Sequence, residues 1–176
     1  MDLFEKNLKL LQKHDPALAN RVNRHGPPEN VRVRLSKEGL PVPQIAGTSL
    51  HSQYHPLKEA EQLTRGFEYD ENSRTVVFGL GFGYHVLHLL EKGEVTVIEP
   101  LTTIFKAFMS SVDLKPFLPG VRFRIAQTPA SLLARYEPKC WNVFKHIPSI
   151  RIGGAYYEQL EKGLEARKFV SSKTLR

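Results

Sequence analysis

One cysteine in 176 residues, Cys140, leaves no partner for an internal disulfide and excludes a cysteine-based zinc site within the chain. A reducing, cytoplasmic compartment is the natural setting for such a sequence. Long apolar runs are missing too. None approaches the roughly 20 residues needed to span a bilayer, so no membrane partner is expected. The opening MDLFEKNLKLLQKH mixes acids and bases along an amphipathic stretch, unlike a secretory signal. Dense basic clusters are also scarce. The formal charge is +7, but its densest groups are the pairs Arg21/Arg24, Arg32/Arg34 and Arg122/Arg124. Aromatic residues do not interleave with them as in a single-strand binder, so a solvated face is expected and nucleic acid is not.

The remaining composition is that of a globular protein, with 41% hydrophobic and 24% charged residues. The length suits one well-buried unit with an appendage. Twelve prolines and twelve glycines point to a loop-rich periphery.

The chain is organised around Thr75 to Pro100, TVVFGLGFGYHVLHLLEKGEVTVIEP. Thr75 to Phe78 is a β-branched and aromatic run that reads as a buried parallel strand. Gly79, Gly81 and Gly83 follow at alternate positions, then a short helical pattern with Val86, Leu87, Leu89 and Leu90, stopped by Gly93. A second strand, Val95 to Ile98, delivers Glu99 at its carboxyl end. Strand, glycine turn, helix and acid-tipped strand form the first half of a Rossmann-like unit. Glycine there lets the chain turn sharply and lets a phosphate or ribose approach bare backbone. Glu99 stands about 20 residues after the first glycine, the offset at which an acid accepts from ribose hydroxyls.

Before this unit, Asp2 can cap a first helix and Asp15-Pro16 can start a second, ended by His25-Gly26-Pro27-Pro28. Val31 to Leu35 alternates as a strand and pairs in a hairpin with Leu40 to Ile45, where Pro41 and Pro43 predict an edge strand. The polar stretch LHSQYHPLKEAEQL places His51, Ser52 and Tyr54 before a helix beginning at Pro56, with Glu59 one turn in. These three are candidates for substrate contact on a loop. His51 and His55 are four apart, but Pro56 keeps His55 out of the helix and no third ligand follows at a recognisable spacing, so no metal site is expected.

After it come a helix with Ile104, Phe105, Phe108 and Met109 on one face, a loop with Pro116, Pro119 and Gly120, and a third strand, Val121 to Ala126. Thr128-Pro129 opens a helix through Leu132, Leu133 and Tyr136, and Trp141 to His146 reads as a fourth strand. A loop with Pro148 and Gly153-Gly154 precedes a charged last helix, Tyr156 to Lys168. The expected fold is α/β: a small three-layer Rossmann-like parallel sheet, preceded by a helical segment and a β-hairpin. The expected division is a helical and hairpin module at 1–50, a Rossmann-like core at 51–154 and a closing helix at 155–176.

Three stretches, EKNLKLLQKHDPALA, LHSQYHPLKEAEQL and VVFGLGFGYHVLHLLEKGEVTVIEP, resemble the amino-terminal half of motility-accessory-factor proteins. That bacterial family is linked to flagellin glycosylation and sits within the broader 6-hydroxymethylpterin diphosphokinase-like group. HIPSIRIGGAYYEQLEKGL is similar to the family's passage into its next domain. The resemblance covers nearly the whole chain. It implies a module binding a nucleotide or nucleotide-sugar, with flagellin or another protein as acceptor. Transfer of the activated sugar would belong to a further domain, expected to begin about where this chain stops.

On that reading Gly79, Gly81 and Gly83 line the pocket, Glu99 takes the ribose, Tyr84 stacks or hydrogen-bonds, and His85 faces a phosphate. His85 and His88 share a helical face that more often meets solvent. A competing resemblance is to class I S-adenosylmethionine methyltransferases, in which Glu99 would hold the same ribose. Those enzymes usually carry an acid where this chain has Val77, and often another near Gln127-Thr128. A dinucleotide dehydrogenase would want glycine where Tyr84 stands. A third reading is a scaffold domain without a ligand, since no nucleophile–base–acid constellation stands out.

Overall fold

A computed structural model describes residues 1–135 and 140–174. Two helices, α1 (Leu3–His14) and α2 (Pro16–Arg24), lead into a small antiparallel sheet of β1 (Val31–Leu35), β2 (Pro41–Ile45) and β3 (Thr48–Ser49). After α3 (Pro56–Thr64) comes the alternation β4 (Arg74–Phe78), α4 (Tyr84–Leu90), β5 (Val95–Glu99), α5 (Thr102–Ser111), β6 (Val121–Ile125), α6 (Pro129–Arg135) and β7 (Trp141–Lys145). Helices α7 (Ile147–Gly153) and α8 (Ala155–Thr174) follow. Tyr136, read as part of the sixth helix, and residues 175–176 of the closing segment lie outside the described residues. No described helix is long and apolar enough to cross a membrane.

Local chemistry accounts for the first elements. Asp2 and Glu5 form a reciprocal capping box at the start of α1, each side chain accepting from the other's backbone N–H. Asp15 caps α2 through the Leu18 N–H, with Pro16 in the tolerated first turn. The buried side chain of Asn7 ties α1 to the end of α5. Its amide donates to the Met109 and Val112 carbonyls, and its oxygen accepts from the Leu114 N–H, all at 2.8–2.9 Å.

The second sheet is parallel throughout, in the order β6-β5-β4-β7. Its central strands β4 and β5 are buried on both faces, as strands in the middle of a covered sheet are, whereas the edge strand β6 alternates apolar residues with Arg122 and Arg124. Along β4, Val77 joins the core with α1, α2, α4 and α5 (Leu11, Val22, Val86, Phe105, Phe108). Val76 and Phe78 point into the opposite core with Leu132, Tyr157 and Leu160 of α6 and α8. This is the expected three-layer Rossmann-like α/β architecture. The strand order reverses between β4 and β7: the chain runs outward through β5 and β6, then returns to the other side of β4. That reversal is a topological switch point, and it positions the site described below.

Two local expectations are corrected. The proline-bearing β2 is the middle strand of its sheet, not an edge. The Pro43 carbonyl accepts from Leu50 N–H, so the face of Pro43 that lacks a donor turns away from β1 and the β1 ladder loses nothing. The short β3 pairs only with Gln44 and Ile45, beyond both prolines. Further on, residues 147–153, read as a loop because of Pro148 and Gly153, form α7. Pro148 falls in the first turn, where its missing N–H costs nothing, and Gly153 falls at the end.

Candidate functional site

At the carboxyl end of β4 the backbone passes through Gly79, Gly81 and Gly83 with φ of +100°, +51° and +77°, a left-handed path that side chains disfavour. The open face of each glycine is covered by another part of the chain. A β-carbon on Gly79 would overlap Ser149, one on Gly81 would overlap His51 Nε2, and one on Gly83 would come within 2.6 Å of the Phe117 ring. Ser149 belongs to α7, His51 to the segment between β3 and α3, and Phe117 to the turn after α5. The sheet and its flanking loops thus close over the glycine turn, and residues 75–86 are all buried.

Glu99 lies beside the turn, 3% exposed. One carboxylate oxygen accepts from Leu80 N–H at 3.2 Å and the other from Leu101 N–H at 3.0 Å. Burial pushes its pKa up to about 7, against the two amides, which favour the charged form. Tyr84 donates its phenol to the Pro41 carbonyl at 2.5 Å, linking the turn to β2, and burial pushes its pKa up to about 12.

Three imidazoles meet in the crevice between β4 and β7: His51, His85 and His146, all buried. The His85 and His146 rings stack with centroids 4.1 Å apart and planes 6° from parallel. His51 lies 5.0 Å from His146 and 5.8 Å from His85, and packs edge-on to Tyr84 at 5.0 Å. Each ring is held by one hydrogen bond. His51 Nε2 accepts from the Phe82 N–H at 2.8 Å. His85 Nε2 donates to the Gly79 carbonyl at 2.9 Å. His146 Nδ1 meets Ser149 Oγ at 2.6 Å. Burial holds all three in the neutral form: His85 falls to about 4, and His51 and His146 fall well below the ordinary histidine value, each further lowered by its imidazole neighbours. Two buried ring nitrogens, His85 Nδ1 and His146 Nε2, have no hydrogen-bond partner.

The sequence-read residues therefore separate into two groups. Gly79, Gly81, Gly83, Tyr84, His85, Glu99 and His51 come together at the switch point. His85 is buried against the Gly79 carbonyl rather than facing solvent. Ser52 and Tyr54 stand apart from them. Ser52 Oγ accepts from the Tyr54 and His55 N–H groups, its own N–H donates to Glu59, and the Tyr54 ring is 67% exposed. His55, weighed with His51 as a ligand pair, instead points to Glu38 at 2.8 Å. His146 and Ser149 were not singled out from sequence. Their signal was topological: a histidine at the tip of a fourth strand adjoins the first glycine once that strand lies beside the first.

Among solved structures, the chain is similar in fold to the Maf glycosyltransferase from Magnetospirillum magneticum AMB-1, with a TM-score of 0.61 and 16% identity. The similarity covers 90% of this chain and 35% of that one, so this chain spans about a third of that protein's length. No protein-family profile matches the chain, and no curated protein matches it either.

Proposed function

We propose that the chain is a nucleotide- or nucleotide-sugar-binding Rossmann-like module of a sugar-transfer protein, with the transfer step left to a further domain. The observation that carries this reading is the left-handed glycine turn at the end of β4, with Glu99 beside it at a strand-order reversal. Ligands of doubly wound sheets bind at that place. The likeness in fold to a Maf glycosyltransferase supports the sugar-transfer setting. Flagellin or another protein would then be the acceptor. Each Glu99 oxygen already accepts one backbone bond and keeps a second lone pair, so a ribose hydroxyl can add its bond without displacing either amide. Access requires the segment carrying His51 to lift off Gly81.

One observation favours a second reading, a scaffold without a small ligand: Ser149, His51 and Phe117 already cover the glycine faces. A thermal-shift panel of CMP, CMP-sialic acid, UDP-sugars, GTP, NAD, S-adenosylmethionine and S-adenosylhomocysteine separates the readings. A ligand at about 100 times its Kd stabilises the folded state by about 2.7 kcal/mol. A shift confined to cytidine or uridine compounds supports the proposal, and Glu99→Gln should then weaken binding by about 1.5–3 kcal/mol. A shift confined to adenosyl compounds turns the assignment to an S-adenosylmethionine-dependent methyltransferase. No shift with any of them leaves the scaffold reading.

A further inference from the structure

We infer that His51, His85 and His146 form a binding site for a divalent transition-metal ion of the zinc class, built at the switch point between β4 and β7. This inference stands on the three side chains alone and does not depend on the nucleotide reading.

Each residue offers one ring nitrogen, and these atoms all lie within 4.8 Å of one another. Two of these residues also carry a buried ring nitrogen without a hydrogen-bond partner. The Gly79 carbonyl can only accept, so His85 carries its proton on Nε2 and presents the Nδ1 lone pair. Ser149 Oγ can accept from His146 Nδ1–H, which leaves the Nε2 lone pair forward. Those two nitrogens of the cluster are His85 Nδ1 and His146 Nε2. A backbone carbonyl or a hydroxyl behind the ligating ring is the outer support that metal-binding histidines use to fix tautomer and orientation. Buried polar atoms without a partner call for an occupant, and a bound ion is one that neutral imidazole nitrogens accept.

The donor set selects the ion. It contains no thiolate, since Cys140 precedes β7 at the strand end opposite His146. Glu99 does not belong to the cluster, which consists of the three imidazoles. Imidazole alone suits zinc, nickel, cobalt and copper rather than magnesium or calcium. Three histidines leave one position of a tetrahedron open for water or an anionic oxygen.

Binding also requires movement. Zinc–nitrogen bonds of about 2.0–2.1 Å draw tetrahedral ligands closer together than 4.8 Å. The parallel His85 and His146 rings cannot both aim their in-plane lone pairs at one ion until one of them rotates. His51 must release the Phe82 N–H to bring Nε2 to the metal. The site is therefore a pair of prepared ligands with a third that exchanges an amide for the ion.

The test uses the chelator-treated chain without nucleotide. Co²⁺ is titrated by visible absorption and Zn²⁺ by calorimetry and melting temperature. The expected result is one ion per chain, strong visible bands of a four-coordinate Co²⁺ site, and a raised melting temperature with Zn²⁺. His85→Gln and His146→Gln each remove a ligand and should weaken Zn²⁺ binding by more than the roughly 10-fold expected for losing a ligand's outer support. Ser149→Ala, which spares all three rings, should weaken it by about 10-fold and keeps the inference testable if a histidine variant fails to fold. The exposed His55→Gln should bind as the parent does. Absence of one-to-one binding in the parent overturns the inference, and a buried water is then the partner of the two nitrogens. Binding that survives both His85→Gln and His146→Gln overturns it as well, by moving the ion to surface histidines.

Discussion

Glu99 makes the stability of this fold depend on pH in a way that its burial fixes. Its folded-state pKa is raised to about 7 from an ordinary 4.5, because desolvation outweighs the Leu80 and Leu101 amides. The surrounding groups do not help the charge: Tyr156 and Tyr157 pack nearby, and the Glu99 charge adds to the burial that pushes both phenols up. A raised folded pKa means that the folded state holds the proton more tightly than the unfolded chain. The Glu99 contribution is therefore fully present below the unfolded pKa and is lost as pH rises through about 7. A rise from 4.5 to about 7 corresponds to about 3 kcal/mol, of which about 2.5 kcal/mol is lost between pH 5 and pH 8. The buried histidines titrate with the opposite sign, since their lowered pKa values remove stability as pH falls.

The measurement is accordingly a difference. Urea unfolding of the parent and of Glu99→Gln is compared at pH 5 and pH 8, so that the histidines cancel. Glutamine cannot ionise, but its NH₂ must face one backbone N–H, a fixed cost of about 1–3 kcal/mol at either pH. Relative to the parent, Glu99→Gln should gain about 2–3 kcal/mol in going from pH 5 to pH 8. A difference that stays constant across the range would show that Glu99 is already ionised at pH 5, and that its two amide bonds outweigh its burial.

Two further variants test the packing around the site. Gly81→Ala meets both a left-handed φ of +51° and an overlap with His51, whereas Gly47→Ala meets a φ of +77° with open space around it. Left-handed strain alone costs about 1–2 kcal/mol, and displacing His51 adds about 1–3 kcal/mol by stranding the Phe82 N–H. Denaturant unfolding should therefore separate the two variants, and equal losses would refute the packed crevice. Asn7→Ala removes the three bonds that hold α1 against the end of α5. It should cost about 3 kcal/mol or more by the same assay, and a loss under about 1 kcal/mol would show that α1 docks by its apolar stripe alone.

The legible parts of this sequence are those whose causes are local. Asp2, and Asp15 with Pro16, declare helix starts from their own local chemistry, and both are used as read. The parallel strands of the Rossmann-like unit are legible because sheets covered on both faces need uninterrupted apolar runs, and Val76, Val77 and Phe78 supply one to each face in turn. Misreadings arose where a local signal has a meaning set elsewhere. Pro41 and Pro43 forbid a donor on one side of β2 only, and which side faces which neighbour depends on pairing with β1 and β3. Pro148 breaks a helix interior but not a first turn, and that distinction depends on where β7 ends.

The histidine cluster shows why a ligand set can be invisible to spacing rules. Motifs such as paired histidines four apart work because one helix face brings both ligands together. His51, His85 and His146 come instead from a loop after β3, the first turn of α4 and the tip of β7. Their separations of 34 and 61 residues carry no period. What brings them together is the strand order β6-β5-β4-β7, which places the end of the last strand beside the glycine turn of the first. Glycine completes the arrangement, since any side chain at Gly79 or Gly81 would occupy the space taken by Ser149 and His51. The glycine turn thus has two physical uses in this chain: it reverses the backbone after β4, and it makes room for imidazoles where related sheets make room for phosphate. The imidazoles and a ligand at Glu99 compete for one volume. A ligand that reaches Glu99 must displace His51, and an ion held by His51 would keep that path closed.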